Sequence, residues 1–159
     1  MTVTWVKGWV GATDGESSMA HWKAQTLSGN RHFDAGEHAR ALDYYQQALW
    51  LARQQFACWP DADEAVAALV VAHHNLADLL VAMTLPDRAA DMLCHVHDCL
   101  LATSQSPARP DPLRAAALRH SRGTRTELLA FVQKHGHHDG ILRCLGQCQC
   151  QTEPAHRLH

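Results

Sequence analysis

The sequence has little of what most enzyme and membrane classes require. Its longest uninterrupted apolar stretch, Ala65–Ala72, is eight residues long, far short of the roughly 20 that cross a bilayer. Met1–Ala12 holds one Lys and two Trp but no apolar run of the roughly 7–15 residues that a secretory leader needs. Net charge is only −2, from 14 Lys+Arg against 16 Asp+Glu, so a chain basic throughout and built to coat nucleic acid is excluded. No G-x-S-x-G, Walker A loop, G-x-G-x-x-G or H-E-x-x-H is present, which argues against an enzyme. After Met19 no alternating run rich in Val, Ile and Thr occurs, which argues against a sheet. What remains is a length of 159 residues, 47% of them hydrophobic, enough for one core and one domain.

Two residue types are over-supplied, with 13 His and 6 Cys. Without a leader the expected compartment is the cytoplasm, where Cys58, Cys94, Cys99, Cys144, Cys148 and Cys150 are thiols or metal ligands rather than a disulfide framework.

Apolar residues recur at spacings of three and four, the period of a helix with one buried face. Breaks at Gly36, at Trp59-Pro60-Asp61, at Thr84-Leu85-Pro86, over Ser104–Pro112 and at Gly136 divide the chain into six helices. Asp61 followed by Glu64 reads as a capping box, and Asp111-Pro112 as an N-cap before a first-turn proline. Within the helix from Asp61 to Met83, Leu69, His73, Leu76, Leu80 and Met83 follow a 4-3-4-3 spacing and form one buried stripe, with His74 on another side. Ala35-Gly36-Glu37 is all that separates Met19–Asp34 from the next helix, so those two are antiparallel neighbours. Residues 1–18, with Trp5 and Trp9, read as a tail, 19–148 as the helical domain, and 149–159 as a second tail containing Cys and His.

The stretch GNRHFDAGEHARALDYYQQALWL, Gly29 to Leu51, resembles the tetratricopeptide repeat. Gly29 falls at the family's small residue in the first helix, Gly36 at the inter-helix turn, and Ala41, Tyr45 and Ala48 at the Ala, large aromatic and Ala of the second helix. Small residues let two helices approach, and the large one fills the space beside them. Gly29 and Ala41 are expected to face each other, with Tyr45 and Leu49 sealing the core. A weaker copy follows 48 residues on, with Ala77, Ala89, Leu93 and Val96 at the sites of Gly29, Ala41, Tyr45 and Ala48. That offset exceeds the usual period of about 34, and Arg53 stands where the family has a proline after its second helix. A third pair, Leu113–His135 and His138–Cys148, keeps Gly136 at its turn and little else of the pattern.

The resemblance implies an all-α fold, a short α-solenoid of about three antiparallel helix pairs with a right-handed superhelix. It also implies a function, that of a non-enzymatic adaptor or chaperone holding a partner peptide or helix in a groove lined by the first helix of each pair. By position the groove residues are Lys23, Thr26, Asn30, Phe33 and Asp34 in the first copy and His74, Asp78 and Val81 in the second. Asn30 matches the site at which some family members grip a terminal carboxylate, yet Thr26 replaces the expected Lys and Asp78 the second Asn. The alternative for Asn30 is a polar side chain satisfied within its own helical pair.

Three further features stand apart from the repeat. Arg114, Arg122 and Arg125 fall within an arc of about 80° on one helix, a basic strip without the aromatic ladder or motif of a nucleic-acid binder; a solvated helix face accounts for it equally well. Cys144, Cys148, Cys150, His156 and His159 have the donor chemistry of a zinc site, although the His156-x2-His159 spacing is shorter than a finger's. This cluster supplies a second reading, a metal-binding or metal-responsive protein; with the adaptor reading no cofactor is needed. His95 and His97, about 200° apart on a helix, cannot chelate together. The sequence thus points to a protein or peptide partner, with a second copy of the chain among the candidates, and to neither membrane nor nucleic acid.

Overall fold

The computed structural model describes residues 14–149, with side chains from Ser17 to Gly146. Among the described residues the secondary structure is entirely helical: α1 Asp14–Asp34, α2 His38–Gln55, α3 Ala62–Ala82, α4 Pro86–Gln105, α5 Asp111–His135 and α6 Asp139–Gln149. Helix number and breaks agree with the periodicity. The start of α1 does not, because it begins at Asp14 rather than Met19 and absorbs the end of the expected tail. Trp5 and Trp9 lie outside the described residues.

The caps follow from local chemistry. Asp61 Oδ1 accepts from the Glu64 amide at 3.0 Å, satisfying a first-turn N–H with no partner inside the helix. Asp111 is not an N-cap: Pro110 holds that position, and Asp111 is the first helical residue, pairing with Arg114 at 3.3 Å. Gly36 and Gly136 take positive φ at two of the turns, as their lack of Cβ allows. Thr84 does the same at φ 62°, held by the Leu85 amide donating to the Leu80 carbonyl at 2.8 Å. A β-branched residue is strained there, so Thr84→Gly is expected to raise stability by about 1 kcal/mol, read as a higher urea midpoint at unchanged slope.

Each helix packs on the next in sequence; α3 also meets α1 and α5, and α6 meets both α4 and α5. α3 thus lies against four other helices, α1, α2, α4 and α5. Short connections leave no alternative to hairpins in sequence. Two apolar clusters result. The first joins Trp22, Tyr45, Leu49, Leu69, Leu76, Leu79, Leu100 and Leu113; the second joins Ala77, Leu80, Leu93, Leu128, Phe131, Ile141 and Leu145.

α3 contributes to both clusters. It is the chain's one described helix long and apolar enough to cross a membrane by length and composition, with mean hydropathy 1.6 over a window that is 56% buried. Four helices around it account for that hydropathy. Of its expected stripe, Leu69, His73, Leu76 and Leu80 are buried and Met83 is half-buried. The small-residue sites also lie inside: Ala41, Ala48, Ala89 and Val96 are fully buried.

Gly29 packs directly against Tyr45: a Cβ built there would overlap two carbons of the Tyr45 ring.

Candidate functional site

α1, α3 and α5 wall a cleft of about 960 Å³. Its floor is the outer face of α3, where Ala67, Val70, Val71 and Val81 are only half-buried. Val70, Val71 and Val81 pack in part against the two apolar clusters and leave the rest of their surface to the cleft. Trp22, Phe33 and Tyr45 form one wall, and Thr124, Ala130 and Phe131 the other. At one end Asp63 Oδ1 accepts from Arg119 at 3.1 Å and lies 3.0 Å from His120 Nε2. Lys23 acts on Glu64 at that same end, while Glu127 and Lys134 act on Asp78 further along. The three helices thus run in one direction, as the first members of successive hairpins must.

The cleft's ionisable groups are unequally satisfied. Burial alone would raise the Asp63 carboxyl, but the Arg119 and His120 hydrogen bonds reverse this and hold it below the ordinary carboxylate range. Asp78 is reached by solvent through the mouth yet ringed by protein; that partial burial, with Glu127 opposite, pushes its carboxyl up. His74 is the least satisfied. Its Nε2 is buried without a hydrogen-bond partner, and burial pulls the imidazole down to about 4, so at neutral pH it faces the cleft as an uncharged ring.

The residues expected in the groove divide in two. Lys23, Phe33, His74, Asp78 and Val81 line the cleft; Thr26, Asn30 and Asp34 do not. Thr26 is 1% exposed, and its hydroxyl donates to the Trp22 carbonyl at 2.9 Å. Asn30 Oδ1 accepts from the Tyr45 hydroxyl at 2.7 Å, so its polarity is used inside the first hairpin. Asp34 is exposed at the end of α1. The physical reason is Gly29: it admits the Tyr45 ring from α2, and that ring supplies the wall a stripe on α1 was expected to form.

The basic strip is off the cleft. Arg114 donates to the Ser104 carbonyl at 3.2 Å and pairs with Asp111, Arg122 is exposed, and Arg125 is half-buried. The face of α5 that meets the cleft carries Arg119, His120, Glu127, Lys134 and His135 instead. His120, Glu127 and Lys134 are seven positions apart, about two helical turns, and so share one face of α5 as His74, Asp78 and Val81 share one face of α3. Treating α5 as the first helix of a third hairpin, despite its poor match to the repeat, was the signal that could have found them.

Of the expected metal ligands, Cys150, His156 and His159 lie outside the described residues, as does the side chain of Cys148. Cys144 is buried against α4, its thiol donating to Asp98 Oδ1 at 3.2 Å. It shares a buried face with Ile141 and Leu145. Among the described residues no three His, Cys, Asp or Glu are placed to hold a metal ion. His95 is exposed and His97 buried, as their angular separation requires. The Thr124 hydroxyl donates to Ser121 O at 3.0 Å, so His97 Nδ1, 2.7 Å from Thr124 Oγ1, is the donor in that pair.

No curated protein and no solved structure matches the chain. One family does, described as "Protein of unknown function (DUF2753)", and its match runs over residues 20–158, taking in every helix that walls the cleft. The chain is therefore a member of the DUF2753 family.

Proposed function

We propose that this chain is a cytoplasmic, non-enzymatic adaptor or chaperone of tetratricopeptide-like build. Its three hairpins stack as a short right-handed solenoid, and a partner's peptide or helix lies in the cleft along α3. The observation that carries this reading is the half-buried Val70, Val71 and Val81 floor. An apolar strip between charged rims, in a cleft near the upper end of the roughly 300–1,000 Å³ typical of ligand sites, has the pattern of a recognition groove. Its rims mix signs, Lys23, Arg119 and Lys134 with Asp63, Asp78 and Glu127, so a partner with both charges suits it better than a uniformly acidic or basic one. The uncharged His74 offers a hydrogen bond to a backbone or side chain laid across the floor.

The test is a partner isolated from native lysate and then titrated calorimetrically against purified variants. Val71→Asp, which places a charge on the floor, and Lys23→Glu, which inverts one rim, are each expected to weaken binding about tenfold or more. Asn30→Ala, whose side chain serves the first hairpin, is expected to bind as wild type provided its circular dichroism is unchanged. Equal affinity in all three variants would rule this cleft out as the binding site.

A further inference from the structure

Away from the cleft, α4 and α6 bring two cysteines together across 50 positions of sequence. Cys94 lies on α4 and Cys144 on α6, and both pack against the second apolar cluster. Asp98, one turn beyond Cys94, accepts from the Cys144 thiol at 3.2 Å. The two sulfurs differ in access, since Cys144 is buried and Cys94 half-buried. An oxidant reaching this pair meets Cys94 first. Of the other described cysteines, Cys58 is exposed beyond the end of α2, and Cys99, whose carbonyl accepts from the Thr103 hydroxyl at 2.8 Å, is half-buried against the first cluster.

We propose that Cys94 and Cys144 are a reversible dithiol–disulfide couple, oxidised by a hydroperoxide, that staples α6 to α4. The Cys94 thiolate attacks the peroxide oxygen; the O–O bond breaks and, after one proton is taken up, an alcohol leaves and Cys94 becomes a sulfenic acid. The Cys144 sulfur then attacks the Cys94 sulfur, the S–S bond forms, and hydroxide departs with the Cys144 proton as water. Overall two thiols and one hydroperoxide give one disulfide, one alcohol and one water. Asp98 is positioned to take the Cys144 proton as the bond forms. The division of roles agrees with the access and surroundings of the two sulfurs: the neighbouring Cys144 lowers the half-buried Cys94 thiol against its own burial, whereas the neighbouring Cys94, burial and Asp98 all raise the buried Cys144. A thiol reductant returns the pair to its starting state by exchange. None of this depends on what the cleft binds.

The experiment treats the full chain with stoichiometric hydrogen peroxide, alkylates the remaining thiols and maps peptides by mass spectrometry. The expected result is loss of two of the six thiols, a linked Cys94–Cys144 peptide, and a melting temperature higher by about 5–10 °C that dithiothreitol reverses. Cys94→Ser, at a half-buried site, should abolish the linked peptide. Cys144→Ala should leave a Cys94 sulfenic acid that dimedone traps. Retention of all six thiols, or linkage of either cysteine to Cys148 or Cys150 instead, overturns the proposal; so does unchanged dimedone labelling of Cys94 between Cys144→Ala and wild type.

Discussion

Gly29→Leu is expected to cost about 3 kcal/mol or more, above the middle of the range for bulk inserted into a packed interface. The first added carbon already overlaps two atoms of the Tyr45 ring. That ring is 2% exposed and its hydroxyl is tied to Asn30, so it has neither room nor freedom to swing aside. Gly29→Ala should cost less, because the helix gains about 1 kcal/mol of propensity against the same clash. Chemical denaturation of the single variants and of Gly29→Ala/Tyr45→Leu separates clash from any general intolerance. If the ring is the obstacle, the double variant is more stable than the summed losses require. Strict additivity would mean that the close approach of α1 and α2 does not depend on this pair.

The second large effect is acid lability. His73 and His74 are adjacent on α3, and burial draws both imidazoles from 6.5 to about 4. His73 donates from Nδ1 to the Leu69 carbonyl at 2.8 Å, and its Nε2 accepts from Arg53 at 3.5 Å, an arrangement that only the neutral ring fits. The guanidinium of Arg53 and the His95 ring stacked on His73 at 5.5 Å further oppose a charge there. Because the folded pKa values lie below the unfolded one, the fold favours the neutral rings. Their contribution is complete above about pH 6.5, declines as pH falls from there to about 4, and is gone below. At 1.36 kcal/mol per pKa unit each ring accounts for about 3 kcal/mol. Urea midpoints measured between pH 7.5 and 4 should fall steeply through this window, with His97, also lowered by burial, adding in the same direction. Replacing His73 with Gln should flatten the profile even though it lowers stability at neutral pH. A flat wild-type profile would refute the burial argument.

Helix number, most boundaries, the Asp61 cap and the small residues that let helices approach were legible because each depends on neighbours within a few positions. Spacings of three and four assign a face, and Gly36, Pro86 and Gly136 mark where a face must stop. The cleft was half legible for the same reason. His74, Asp78 and Val81 share one side of α3, and the repeat pattern orients that side. What escaped depends on contacts across long stretches of chain. Arg119 and His120 meet Asp63 more than 50 positions away, and Cys144 meets Cys94 at a similar distance. Asn30 escaped differently. Its place on α1 is compatible with the groove, and only the reach of the Tyr45 hydroxyl from α2 turns it to internal use. Arg114, Arg122 and Arg125 show the converse, since a shared arc on a helix does not say which neighbour that arc meets.

The position of α3 has a consequence for how the molecule responds to load. Because α3, together with α4 and α5, feeds both apolar clusters, neither end can come apart without loosening the other, unlike a long array whose units melt in turn. A ligand that held the proposed Val70–Val81 strip would therefore be expected to brace the entire fold, as far away as the last helix.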